Sequence, residues 1–134
     1  MTAVYSNPTH IRNIMTFCAP NLKAEYLTEC LVEVLNNQWK VNALESGRNV
    51  YSQLEYEVGR KYIKVWSYLV DGGERLNGRS CFMFVDKNTG EVYKPASYNS
   101  PAKYVRFDMR IINQRERLHD PTFTGWAGGY LYLR

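Results

Sequence analysis

Between residues 22 and 35 the apolar positions Leu22, Tyr26, Leu27, Cys30, Leu31, Val34 and Leu35 recur every three to four residues, the period of a helix with one broad core-facing stripe. Asn21 offers a side chain suited to capping a helix N-terminus, so the pattern predicts a helix from Asn21 to about Gln38. Glu25, Glu29 and Glu33 lie four apart on another stripe and read as a solvated, mildly self-repelling ridge. Upstream, Asn7 as cap, Pro8 at the first helical position and the apolar Ile11, Ile14 and Met15 predict a shorter first helix.

From Val50 the period changes to two. Leu54, Tyr56 and Val58 alternate with Gln53, Glu55 and Glu57, the mark of a strand with one wet face. A turn at Gly59 and Arg60 leads into Tyr62 to Val70, where both alternating sets are apolar or aromatic (Ile63, Val65 and Leu69 against Tyr62, Trp66 and Tyr68). That composition predicts a central strand, with Trp66 between helix and sheet. Asp71 to Gly78 reads as a glycine-punctuated loop and Ser80 to Val85 as a third strand. Asp86, Lys87, Asn88, Thr89 and Gly90 carry strong hairpin-turn chemistry, returning the chain through Glu91 to Lys94 as a fourth strand.

Beyond Pro95 the periodicity is weaker. Ser100 before Pro101 predicts a short helix to about Phe107, with a strand over the alternating Val105 to Ile112 as the alternative; Asn113 to Pro121 reads as a polar loop and Tyr130 to Leu133 as a final short strand. The whole, residues 1–134, is expected to form one α+β domain. In it the N-terminal helix or helices pack on a curved antiparallel sheet of about four strands, loosely like the cystatin arrangement.

Composition adds one unusual feature: aromatic residues make up 14% of the chain, eleven of them Tyr. Such side chains bury large area while keeping a polar handle, which suits contacts between molecules, and a homo-oligomer is expected on that ground. Cys18, Cys30 and Cys81 are odd in number and widely spaced, which argues for packing roles in a reducing compartment. With no apolar run of bilayer length and no leader pattern in Met1 to Phe17, the expectation is a cytoplasmic protein without membrane attachment.

Charge is unevenly spread. Residues 1–58 hold four basic and six acidic groups, residues 59–110 ten and five, and residues 111–134 three and two, so the positive potential belongs to the middle of the chain. Within it Lys94, Lys103 and Arg106 interleave with Tyr98 and Tyr104, a combination that follows phosphates and stacks bases in single-stranded nucleic-acid sites; the favoured alternative is that Tyr104 packs beneath the sheet and the charges are solvated.

Catalytic and metal motifs do not emerge. Gly73 to Ser80 has the spacing of a phosphate-binding loop with Arg79 in the lysine position, but that chemistry requires the loop to open a helix, and here a strand follows. His10 and His119 lack a second His or Cys at ligand spacing, and His119 beside Asp120 reads as an exposed loop pair. No catalytic residue, metal or cofactor is assigned.

The segment from Phe84 to Arg106, F-V-D-K-N-T-G-E-V-Y-K-P-A-S followed by P-A-K, resembles a pattern in small uncharacterised proteins of tailed bacteriophages, including those of marine cyanobacteria. The resemblance implies an origin and, for localisation, the cytoplasm of an infected host cell. The function expected is that of a non-enzymatic phage-type accessory protein that binds a macromolecule, a host or phage protein, or itself. The alternative is a single-stranded nucleic-acid-binding protein using residues 94–106, and an enzyme with an unrecognised pocket ranks third.

Overall fold

The computed structural model describes residues 23–120, 123–125 and 129–131. The long helix α1 runs over Ala24–Glu45. It is seven residues longer at its C-terminal end than the pattern predicts, because Trp39 and Ala43 continue the buried stripe of Leu27, Leu31 and Leu35 at four-residue spacing. It ends where Gly47 takes a left-handed φ of 72°. The Arg48 N–H then reaches back to the Ala43 carbonyl (2.8 Å) and the Gly47 N–H to that of Leu44 (3.1 Å), the paired closure that glycine permits after a helix. At the other end the capping position is Lys23, without a side-chain cap. The predicted Asn21 cap, Leu22 and the Asn7–Met15 helix lie outside the described residues. The buried stripe is also rotated from the predicted one: Ala24, Thr28 and Val32 are inside, while Tyr26 is 42% exposed. Thr28 is accommodated because its hydroxyl donates to the Ala24 carbonyl at 2.8 Å.

Among the described residues six antiparallel strands follow: β1 (Val50–Val58), β2 (Tyr62–Asp71), β3 (Glu74–Arg75), β4 (Ser80–Asp86), β5 (Glu91–Tyr93) and β6 (Phe107–Asp108). Their order is β1-β2-β4-β5-β6, with β3 beside the end of β2. The α+β class and the central place of β2 agree with the period-two pattern. So does the turn after β4, where the Asp86 carboxylate accepts the N–H groups of Asn88 and Thr89. Gly90 closes that turn with φ 80°, and a Cβ there would lie 3.3 Å from the Arg110 side chain.

Helix α1 covers one face of the sheet, where Leu54, Ile63, Val65, Met83, Val85 and Val92 meet Leu27, Leu31, Leu35 and Trp39. A bulge in the β2–β4 pairing, between Val65↔Met83 and Trp66↔Cys81, leaves Phe82 as the extra residue. Its ring packs edge-on against Trp39, 5.8 Å between centroids. Trp66, expected in this interface, is buried instead on the opposite face.

The C-terminal region departs most from the pattern. No helix forms over residues 100–107. Residues 94–106 make a loop closed by a bridge between Pro95 and Pro101, and Phe107–Asp108 pairs with β5 as β6. The stretch expected as a polar loop contains helix α2, Ile112–Leu118. Its Leu118 is wholly buried, and Met109 and Leu131 join the same core. Gly129–Leu131 is a 3-10 turn rather than the start of a strand. His119 caps the end of α2, half-buried rather than in an exposed loop.

Candidate functional site

Strand alternation places Tyr62, Lys64, Trp66 and Tyr68 of β2 on the face turned away from α1, opposite Glu57, Glu55 and Gln53 of β1. On the other side they meet Phe84 and Cys81 of β4. The rings form two sets. Tyr62 packs edge-on against Phe84 (5.8 Å) and Tyr93 (6.0 Å), and Trp66 packs against Tyr98 (5.8 Å).

Cations lie over these rings. The guanidinium of Arg79 sits 3.7 Å from the Trp66 ring centre and that of Arg75 3.9 Å from Tyr68. The Lys64 ammonium lies 5.6 Å from Trp66 and 5.8 Å from Phe84. Such pairs gain about 0.5–1 kcal/mol each at exposed sites. Hydrogen bonds join them into a row: Arg75 donates to Glu55 (2.7 Å) and Gln53 (2.9 Å), Arg79 to the Tyr68 hydroxyl (3.3 Å), and Tyr98 to the Arg79 carbonyl (3.3 Å). The indole N–H of Trp66 donates to Glu57 at 3.2 Å. Arg75 and Arg79 are exposed and Trp66 is only 5% exposed, so the row presents charge outward over a buried ring.

Of the residues singled out from sequence, Tyr98 joins this row and is 60% exposed. Lys94 is half-buried, with its ammonium donating to the Pro95 carbonyl. Lys103 is exposed, and Tyr104 is 70% exposed with a left-handed φ of 72°. Arg106 is engaged within the fold: its guanidinium donates to the carbonyls of Leu131 (2.8 Å), Lys103 and Tyr104. Lys64 and Arg75 are not singled out by the sequence pattern, and Arg79 stands out there only as the lysine-position residue of the phosphate-loop-like segment. The signal was present in the same-face spacing of Lys64, Trp66 and Tyr68.

The thiol on this face is not poised as a nucleophile. Burial pushes the Cys81 thiol up to about 11 despite the opposing pull of Lys64 and Arg79, so it stays protonated near neutrality. Burial, and then the charge of Arg115, lower the pKa of His119. One open cleft of about 550 Å³ is lined by Ser52, Ser67, Tyr68, Leu69, Asn77, Gly78, Arg79 and Ser80. It contains no carboxylate, imidazole or thiol. The phosphate-loop-like segment runs from β3 into β4 and opens no helix. Among the described residues no group of three His, Cys, Asp or Glu side chains is placed to hold a metal, and no helix is long and apolar enough to cross a membrane.

Over residues 13–133 the chain matches a family of unknown function (DUF7717). No curated protein and no solved structure matches it.

Proposed function

We propose, from the premise that the chain belongs to a family of unknown function (DUF7717), that this protein acts by binding, and that its ligand is single-stranded nucleic acid lying along the sheet face opposite α1. The observation that carries this reading is the Arg75–Tyr68–Arg79–Trp66–Tyr98 row. Guanidinium groups pair with phosphates and stack on planar bases, while exposed aromatic rings give sequence-tolerant stacking. Arg75 exchanges Glu55 for a phosphate at small cost, since the ion pair between them is solvent-exposed. Lys94, Lys103 and Tyr104 extend the site along the 94–106 loop, and Arg106 holds that loop in shape. The F-V-D to P-A-K segment supports an accessory role in a tailed bacteriophage, in the cytoplasm of the infected cell.

Binding of labelled mixed-sequence single-stranded DNA, followed by fluorescence anisotropy across a salt series, tests the proposal. Replacing Arg75 and Arg79 by Gln should flatten the log–log salt slope by about 1.4, from roughly −0.7 per phosphate contact. Tyr98→Ala should weaken binding by about 1–3 kcal/mol. No binding at low salt, or a slope that the double replacement leaves unchanged, refutes it.

Self-association is the second reading, favoured by the exposure of Tyr98 and Tyr104. Light scattering over a range of concentrations decides it: the mass of one chain throughout would remove it.

A further inference from the structure

We propose that one stripe of α1, made of Glu25, Glu29, Glu33 and Asn36, guards the open edge of β1 against pairing with a strand of another molecule. Among the described residues strand β1 is outermost in the sheet and pairs only with β2. A nine-residue edge is a template for strand addition unless something blocks it.

The register shows which backbone groups face outward. Ser52 lies opposite Leu69, Leu54 opposite Ser67 and Tyr56 opposite Val65, and the Leu69 carbonyl bonds to Leu76 on the far side of β2 (2.8 Å). These are therefore the non-hydrogen-bonded pairs, and Ser52, Leu54 and Tyr56 point their N–H and C=O groups away from β2. At the centre of that edge the Asn36 carboxamide takes both bonds a neighbouring strand would make. Its Oδ1 accepts the Leu54 N–H at 2.6 Å and its Nδ2 donates to the Leu54 carbonyl at 2.9 Å.

The same stripe adds charge. Glu25, Glu29 and Glu33 precede Asn36 at helical spacing, and Glu29 accepts the Tyr56 hydroxyl at 3.2 Å. The three carboxylates all act on Tyr56, whose hydroxyl pKa is raised first by burial and then by Glu29. Two copies pairing antiparallel through β1 would bring these ridges together, and Glu55 and Glu57 with them. A like-charged edge with its central hydrogen-bonding position filled resists self-pairing in two independent ways.

A residue that merely anchors α1 would cost stability when replaced. A guard, when removed, also changes assembly. The test compares wild type with Asn36→Ala by light scattering and by amide hydrogen exchange at several concentrations. In the wild type the Leu54 amide should be protected independently of concentration. In Asn36→Ala it should lose that protection at low concentration. As concentration rises, mass should increase and exchange at Ser52, Leu54 and Tyr56 should slow together, by about ten-fold or more. Added salt should strengthen this association, because it screens the carboxylates. If Asn36→Ala fails to fold, Asn36→Ser, too short to reach both Leu54 groups, should behave in the same way. The proposal is overturned if the variant keeps the wild-type mass, or associates with these amides unaffected. It is equally overturned if wild type already protects them in a concentration-dependent way.

Discussion

Trp39 and Trp66 are buried almost equally, at 7% and 5% exposure, yet on opposite faces of one sheet they have opposite surroundings. Trp39 meets the Phe82 ring among aliphatic side chains of the core. Trp66 lies beneath Arg79, Lys64 and Tyr98, with its N–H on Glu57. Burial alone therefore does not distinguish the two positions. What separates them is whether the covering atoms are fixed apolar neighbours or exposed charged side chains.

The largest effect should come from the core side. Trp39→Ala removes a ring from close-packed surroundings and should cost about 3–5 kcal/mol in chemical denaturation. Trp66→Ala should cost less, about 2–3 kcal/mol, because Arg79 and Tyr98 are exposed and can settle into the space. Equal losses, or a greater loss at Trp66, would break the distinction between the two faces.

Alkaline pH provides a smaller and sharper probe. The Cys81 thiol, ordinarily near 9, is raised to about 11 by burial. Between those values the unfolded chain ionises first, so stability should fall as pH rises from about 9 to 11. Cys81→Ser should remove part of that fall. A pH dependence identical in the variant would mean that the thiol is not shielded as its place beside Trp66 implies.

Arg75→Gln should have the smallest effect, about 0.2–1 kcal/mol, since the ion pair, the hydrogen bond to Gln53 and the ring contact that it removes are all exposed. If the same substitution weakens nucleic-acid binding several-fold, the face is one that recognises more than it stabilises. A large stability loss without a binding defect would make the row a structural one.

The helix, β1, β2, β4 and the turn at Asp86–Gly90 were legible because each depends on local periodicity or turn chemistry. The length of α1 was obscured by the polar run Asn36, Asn37 and Gln38 before Trp39, although Gly47 was the stop signal. The face occupied by Trp66 was obscured because rings and aliphatic side chains dominate both alternating sets on β2, and Lys64 alone marks the Trp66 set as the wetter one. The bulge at Phe82 was equally hidden, because it shows only when β4 is aligned with β2. Helix α2 was hidden by Asn113, Arg115 and Arg117, where composition suggests solvent. In the structure Arg115 is 3% exposed and donates to the Met109 carbonyl at 2.6 Å. Of the residues singled out for binding, Tyr98 joins the row, and its partners are distant in sequence: Trp66 on β2 and Arg79 in the connection that leads into β4.

The hold that Arg106 keeps on three carbonyls bears on how the chain meets a protease. A trypsin-like enzyme must draw the basic side chain into its own pocket before it cuts, and this guanidinium is already bound to Leu131, Lys103 and Tyr104. Lys103, three residues earlier, is exposed on the same loop. Limited digestion of the native protein should therefore nick after Lys103 well before Arg106, leaving a cut chain whose two pieces remain joined through β5 and β6.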